Sequence, residues 1–360
     1  MQQIGKNQLS ILIAVFLIGS TPLFELGIQA KQDAWMAMTL AAFAGLLLTV
    51  MYVRIQKRSP ESELAELYIM HFGKWIGGFI GFLHAIWFAY ESMRNVRDVG
   101  ELTMMALLTF TPKWIVMLLI LSAAAYTVSK GIEVFVRVVQ LLFPIVALSY
   151  ASILLLIFIS RLPKLSQLLP ILENGFGPVI KAAFPDLLSF PFGQMVIFLV
   201  FWKHVSEKKI IGRASYWAFI GVSAFLILMN SLIMCVLGPE MAAITALPLL
   251  EVVQLIRLAN FLERLDVVVT LLLFIGLYVK MTALYMASVF TLKTVTGIAY
   301  RYCVLPVGLV IYGASFLEPN NTYHIWIGLD VTLKIVPLFQ VILPFLMLVA
   351  GIRKKYKQAA

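Results

Sequence analysis

Glu91, Arg94, Arg97, Asp98 and Glu101 all fall inside one apolar run, from about 75 to 107. On a 3.6-residue period Glu91, Arg94, Asp98 and Glu101 share a face, at the spacings of three and four that let acid and base pair. Ionisable groups at membrane depth are costly unless they pair or meet water. The face therefore reads either as a hydrated outer vestibule or proton route, or as a salt-bridge network that locks helices together. Glu263, Arg264 and Asp266 open a later apolar run, and Asp330 and Lys334 stand one turn apart in the last one; both sets fall on the same side and would join either arrangement. Lys280 lies deeper with no partner near it in sequence. It is either a proton-coupling or cation-mimicking group, or a side chain that snorkels to the inner headgroups.

Two further stretches interrupt apolar runs with glycine and proline: Ile18-Gly19-Ser20-Thr21-Pro22 and Ser189-Phe190-Pro191-Phe192-Gly193-Gln194. Glycine weakens a helix interior, and proline lacks the amide proton and clashes with the preceding turn. The first run should unwind and restart near Thr21, with Thr21 as N-cap and Pro22 at the first helical position. Unpaired N–H groups and the positive end of a helix dipole would then suit a carboxylate. The alternative is a simple proline kink satisfied by neighbouring helices. Irregular backbone at bilayer depth is tolerated where protein buries it or a cavity hydrates it, and paired breaks mark the binding site of transporters built from inverted repeats.

These residues need helices to hold them. The 360-residue chain is 61% hydrophobic and 13% charged, with a mean hydropathy of +0.95, which excludes an ordinary soluble domain. A spanning helix takes about 20 apolar residues. Ten such segments are read, at about 9–29, 34–54, 75–107, 112–129, 132–160, 184–204, 212–237, 261–292, 299–317 and 325–352. They form one membrane domain over 1–360, with helices one to five at about 9–160, helices six to ten at about 184–352 and a basic tail at 353–360. Segments three and eight are long enough to require tilt or extension past the lipid. Five segments separate the two breaks, and an odd number inverts the second set relative to the first.

The formal charge of +10 resides in short basic clusters between apolar segments, which fits topology rather than nucleic-acid binding. Placing both termini in the cytoplasm puts more than twice as many Lys and Arg inside as outside, as the positive-inside rule requires. The first segment follows Lys6 as a signal peptide would, but it is long and has no small-x-small cleavage site, so it is read as retained. Pro163–Lys181 and Leu247–Leu258 read as short helices at the outer surface. Cys235 and Cys303 are too few for a disulfide framework, and His71, His84, His204 and His324 show no metal spacing. No phosphate loop or nucleophile motif occurs, so no catalytic residue, cofactor or metal is expected.

Over its full length the chain resembles the spore germination receptor B-subunit family, the endospore germination permeases of the amino acid/polyamine/organocation transporter superfamily. The resemblance rests on size and ten-span layout, on Ile18–Pro22, on Phe190-Pro191-Phe192-Gly193, on Phe261-Leu262-Glu263-Arg264-Leu265-Asp266 and on the basic tail. It implies an all-α LeuT-like fold of five plus five inverted helices, discontinuous at helices one and six. It also implies nutrient sensing in the inner membrane of a dormant spore, beside an A-type membrane subunit and a C-type lipoprotein. An amino acid would bind with its carboxylate on the N–H groups near Gly19, Ser20 and Thr21 and its ammonium at the helix-six break by Gly193 and Gln194. Tyr90, Phe190, Phe192 and Phe274 would line its side-chain pocket. The rival readings are a proton-coupled amino acid transporter, with Lys280 or Glu91 as coupling groups, and a water or ion conduit lined by the helix-three charges.

Overall fold

The computed structural model describes residues 3–107, 110–256 and 265–359. Among these residues regular structure is helical: α1 (Lys6–Ile18), α2 (Ala34–Arg58), α3 (Leu64–Phe72), α4 (Lys74–Ala106), α5 (Lys113–Lys130), α6 (Ile132–Ile159), α7 (Phe176–Ala182), α8 (Phe198–Phe201), α9 (Ile211–Ile244), α10 (Pro248–Gln254), α11 (Leu265–Thr296), α12 (Tyr300–Ala314), α13 (Asn321–Trp326), α14 (Leu333–Ile335) and α15 (Leu343–Ala359). Among the described residues eight helical stretches are long and apolar enough to cross a membrane. Large apolar side chains such as Phe43, Trp75, Leu119, Leu141 and Leu305 stand outward, as a surface solvated by lipid requires.

The backbone of α1 shows why it stops. Gly19 N donates to Val15 O, and the next carbonyl bond comes from a side chain, Thr21 Oγ1 to Leu17 O at 2.6 Å. Pro22 has no proton for the carbonyl of Ile18. Thr21 was expected as N-cap of a restarted α-helix; Ser20 takes the cap position instead, and the chain continues as a single 3₁₀ turn, Thr21–Leu23. The threonine hydroxyl closes the preceding helix rather than opening the next.

The sixth apolar segment is also irregular. Phe192–Ile197 winds as 3₁₀, and only Phe198–Phe201 is α-helical before a further 3₁₀ turn, Trp202–His204. At the last segment, π-helical turns cover Ile327–Thr332 and Leu338–Ile342.

Helix α4 lies along α11, and small polar side chains join them: Ser92 Oγ donates to Met281 O at 2.9 Å and Ser288 Oγ to Ala85 O at 2.8 Å. Hydroxyls of this size let membrane helices approach closely and satisfy carbonyls across the interface. Helix α3 has no counterpart in the sequence reading. It folds back on α4, with Leu64, Leu67 and Tyr68 buried and Tyr68 OH 3.0 Å from His84 Nδ1. Glu66 of α3 accepts from Lys203 Nζ at 2.7 and 2.8 Å. Beside it, Ile4 pairs with the strand-like Val205, through Ile4 N to His204 O at 2.8 Å and Ser206 N to Ile4 O at 3.1 Å.

Candidate ligand-binding site

A cavity of about 40 Å³ sits where four irregular or polar stretches meet. Ser20 and Phe24 come from the chain after α1, and Glu91, Arg94, Asn95 and Asp98 from α4. Ser189, Phe190 and Gln194 come from the second interruption, and Gly328, Leu333 and Gln340 from the last segment. Gln340 ties two of these walls, its Nε2 donating to Ser189 O at 3.0 Å, while Tyr52 OH holds Gln340 O at 2.5 Å. At roughly 10–15 Å³ of such space per water, this conformation admits a few waters.

Glu91 accepts from Gln194 Nε2 at 3.2 Å across the cavity. Arg97 and Glu101 pair four apart within α4, whereas Arg94 and Asp98 find their partners on other elements. Arg94 Nη1 reaches Glu318 Oε1 at 3.2 Å. Glu101 Oε1 takes both Arg97 Nε at 2.9 Å and Lys113 Nζ at 2.6 Å. Asp98 Oδ1 lies 2.8 Å from His324 Nε2, and the other ring nitrogen bonds Glu318. His324 is 0% exposed. Burial alone would raise the Glu318 carboxyl, but the hydrogen bond and charge of His324, with Arg94 and Arg97, outweigh it and hold that group below its usual 4.5. Gly328 makes this possible: a Cβ there would occupy the place of the Arg94 guanidinium.

The structure thus brings Ser20, Glu91, Arg94, Asp98, Phe190 and Gln194 to one cavity. Gly19, Thr21 and Gly193 are its neighbours in the chain and do not line it. Tyr90 bonds Thr332 Oγ1 at 2.9 Å and lines a separate apolar groove with Phe82 and Val310. Phe192 faces away and packs on Phe219, ring centroids 5.8 Å apart. Phe274 packs in an apolar cluster around Leu249 and Leu273. Asp330 and Lys334 are exposed and form no ion pair among the described residues, so the last segment contributes His324 to the network instead. Glu263 and Arg264 lie outside the described residues, as do the first four positions of Phe261–Asp266.

Lys280 does not snorkel. It is 0% exposed, its ammonium 4.3 Å from the Phe190 ring centre and 5.6 Å from that of Phe16. Its stem passes so close to Gly19 that a Cβ there would lie 2.8 Å from Lys280 Cδ. The four-carbon stem is spent crossing to the end of α1, which leaves no reach to a headgroup. Sequence reasoning missed Phe24, Asn95, Ser189, Glu318, His324 and Gln340. The only available signal was that His324 and Glu318 are polar residues flanking an apolar run.

A family model described as spore germination protein matches residues 3–324. The chain is 32% identical to spore germination protein KB of Bacillus subtilis (strain 168), over 99% of this chain and 96% of that one. It is 24% identical to spore germination protein A2 of the same organism, over 83% and 80% of the two chains. Among solved structures it resembles MHP1, a nucleobase-cation-symport-1 family transporter, in a closed conformation with bromovinylhydantoin bound, at a TM-score of 0.73 and 13% identity, covering 96% of this chain and 78% of that one. It also resembles MhsT in complex with L-phenylalanine, at a TM-score of 0.64 and 12% identity, covering 97% and 96%. At such identities the likeness is one of fold.

Proposed function

Because this chain belongs to the spore germination protein family, we propose that it is the membrane-embedded nutrient-sensing subunit of a germination receptor, with an amino acid as its ligand. It is a multi-pass membrane protein of a family of permease-like receptor subunits, not of enzymes. The observation that carries the reading is the cavity itself, walled by Ser20, Glu91, Phe190 and Gln194, where two interrupted segments face α4. The fold likeness to transporters supports the same placement, since transporters of this design bind substrate at their interrupted helices.

The fuller architecture belongs to this proposal. Adding the 33-residue α4 and the 15-residue α12 to the eight apolar stretches gives ten spans, which supports one domain of five plus five inverted helices with segments one and six discontinuous. Both termini are assigned to the cytoplasm. The partners are an A-type membrane subunit and a C-type lipoprotein.

A ligand signals only as far as it binds one conformation better than another. A cavity of about 40 Å³ is too small for most amino acids, so admission requires the walls to part, and the parted form is the state that ligand would stabilise. The second reading is proton-coupled amino acid transport, favoured by the fold likeness to MHP1 and MhsT. Purified protein in liposomes separates the two: saturable binding of labelled amino acid without uptake supports the sensor, uptake driven by a proton gradient supports the transporter, and osmotic or ionic permeability alone would replace both with a conduit.

A further inference from the structure

We infer that the site reads a zwitterion through two charges fixed on different helices, with Glu91 of α4 taking the ammonium group and Lys280 of α11 taking the carboxylate. This rests on the amino acid reading above and assigns the two ends of that ligand to side chains.

Glu91 is the carboxylate of the cavity with no cation at salt-bridge distance among the described residues; Arg94 and Lys280 act on it only from farther off. Asp98 has His324, Glu101 beyond it has Arg97 and Lys113, and Glu318 has Arg94, whereas the one partner of the Glu91 carboxylate among the described residues is the Gln194 amide. Two amides beside it are oriented by what their nitrogens already hold. Gln194 Nε2 donates to Glu91 Oε2, and Asn95 Nδ2 donates to Glu91 O at 2.8 Å; turning either amide over would set oxygen against oxygen. Their oxygens, Gln194 Oε1 and Asn95 Oδ1, are buried without partners. With the Glu91 carboxylate this makes three acceptor groups, which matches the three N–H bonds of a primary ammonium.

Lys280 is the complement. Its Nζ is buried without a hydrogen-bond partner and no carboxylate stands within salt-bridge distance among the described residues. Its ammonium lies over aromatic faces, with the Glu91 and Asp98 charges acting from farther off, and the nearer face belongs to Phe190, which also lines the cavity. The ammonium therefore sits behind a cavity wall, beside the end of α1. The anion-binding role expected of the backbone at Gly19, Ser20 and Thr21 passes to this side chain, because a three-residue turn provides no helix dipole to replace it. Rotation of Phe190 joins the two charges across one ligand.

The test uses the full-length protein in liposomes and three labelled amino acids: glycine, L-leucine and L-phenylalanine. Each is competed against the amine lacking its carboxylate and the acid lacking its ammonium. The expected result is that one zwitterion binds at least about tenfold more tightly than either truncated analogue, each lost ion pair costing about that factor. Glu91→Gln should then bring the zwitterion down to the level of its acid, Lys280→Met should bring it down to the level of its amine, and Lys280→Arg should recover most of the loss. Binding of the amine or acid as tight as the zwitterion in the unaltered protein overturns the inference, whatever the variants do. So does zwitterion binding unchanged in both Glu91→Gln and Lys280→Met, with the amino acid reading left standing. Binding of none of the three amino acids by the unaltered protein removes that reading and this one together.

Discussion

Asp98 Oδ1 lies 2.8 Å from His324 Nε2, although 226 residues separate them. Helix α4 supplies the acid, the loop before the last span supplies Glu318, and the short helix that opens that span supplies the histidine. Removing one member of a buried charged set leaves the others uncompensated, at about 3–5 kcal/mol. Asp98→Ala and Glu318→Ala should each lower the melting temperature, and the double substitution should cost less than the sum. Additive losses in a double-mutant cycle would show that the residues do not act as a set.

The same cluster sets an acid limit. Glu318 is held below its usual value of 4.5 in the folded protein. A carboxyl with a depressed folded pKa contributes stability that is present above its unfolded value and lost as pH falls through the folded one. Unfolding between pH 3 and 7 should therefore show stability declining below about pH 4.5. Glu318→Gln should be less stable at neutral pH and flatter through that acid limb. A Glu318→Gln limb as steep as the original would assign the decline to other acids.

Glu63 behaves in the opposite sense. It opens α3, its backbone N donating to Glu66 Oε2 at 2.9 Å and its carboxyl bonded to Thr294 Oγ1 of α11. Burial pushes it up to about 7, against the lowering effect of Lys203 and Lys293 and with a smaller upward push from Glu66. A raised folded pKa means that the docked helix keeps a proton the undocked one loses. Docking is then strongest below about pH 4.5 and weakens as pH rises to about 7, beyond which no further loss accrues. Hydrogen exchange of Leu64–Phe72, corrected for intrinsic rates, should be faster at about pH 8 than at about pH 5.5, and Glu63→Gln should abolish the difference. A difference that survives in Glu63→Gln would place its cause elsewhere.

At the end of α1, Gly276 of α11 lies against the carbonyl of Gly19, where a Cβ would collide with backbone. Overpacking of this kind typically costs about 1–3 kcal/mol. Gly276→Ala should destabilise by that order and, by pushing α11 from the break, weaken ligand binding. Gly221→Ala is the control, since a Cβ there meets nothing within 4 Å. Equal binding in both variants would detach the Gly19 region from the site.

The helical membrane architecture was legible because apolar runs of spanning length need no partner to be recognised. The end of α1 was legible for the same local reason, as Gly19 and Pro22 act on their own turn. Pairing was not. Arg94 has acids within four residues and takes Glu318, 224 positions away, because the fold buries both ends of that pair together. The expected side-chain pocket held both Phe190 and Phe192, but in irregular backbone alternate residues diverge, and Phe192 packs on Phe219. The sequence left two readings of Lys280 open because the length of a lysine stem says nothing of what it must cross; Gly19 decides that.

Phe24 carries the last prediction. It lines the central cavity and also a second one that includes Glu101, Leu247 and Asn321, and among the described residues only Asp98 shares that double position. Its ring meets Phe190 edge-on, centroids 6.1 Å apart, a contact worth about 0.5–1.5 kcal/mol beyond area. Asp98 is held by His324, which leaves Phe24 as the wall free to swing. With Cys235 and Cys303 replaced by alanine, a Ser20→Cys protein should react slowly with a membrane-impermeant thiol reagent added from outside. Adding Phe24→Ala should accelerate the reaction up to about tenfold, the factor that the lost ring contact corresponds to. No acceleration would place the entry route elsewhere than along α4, and rapid labelling without Phe24→Ala would mean that Phe24 does not close the cavity.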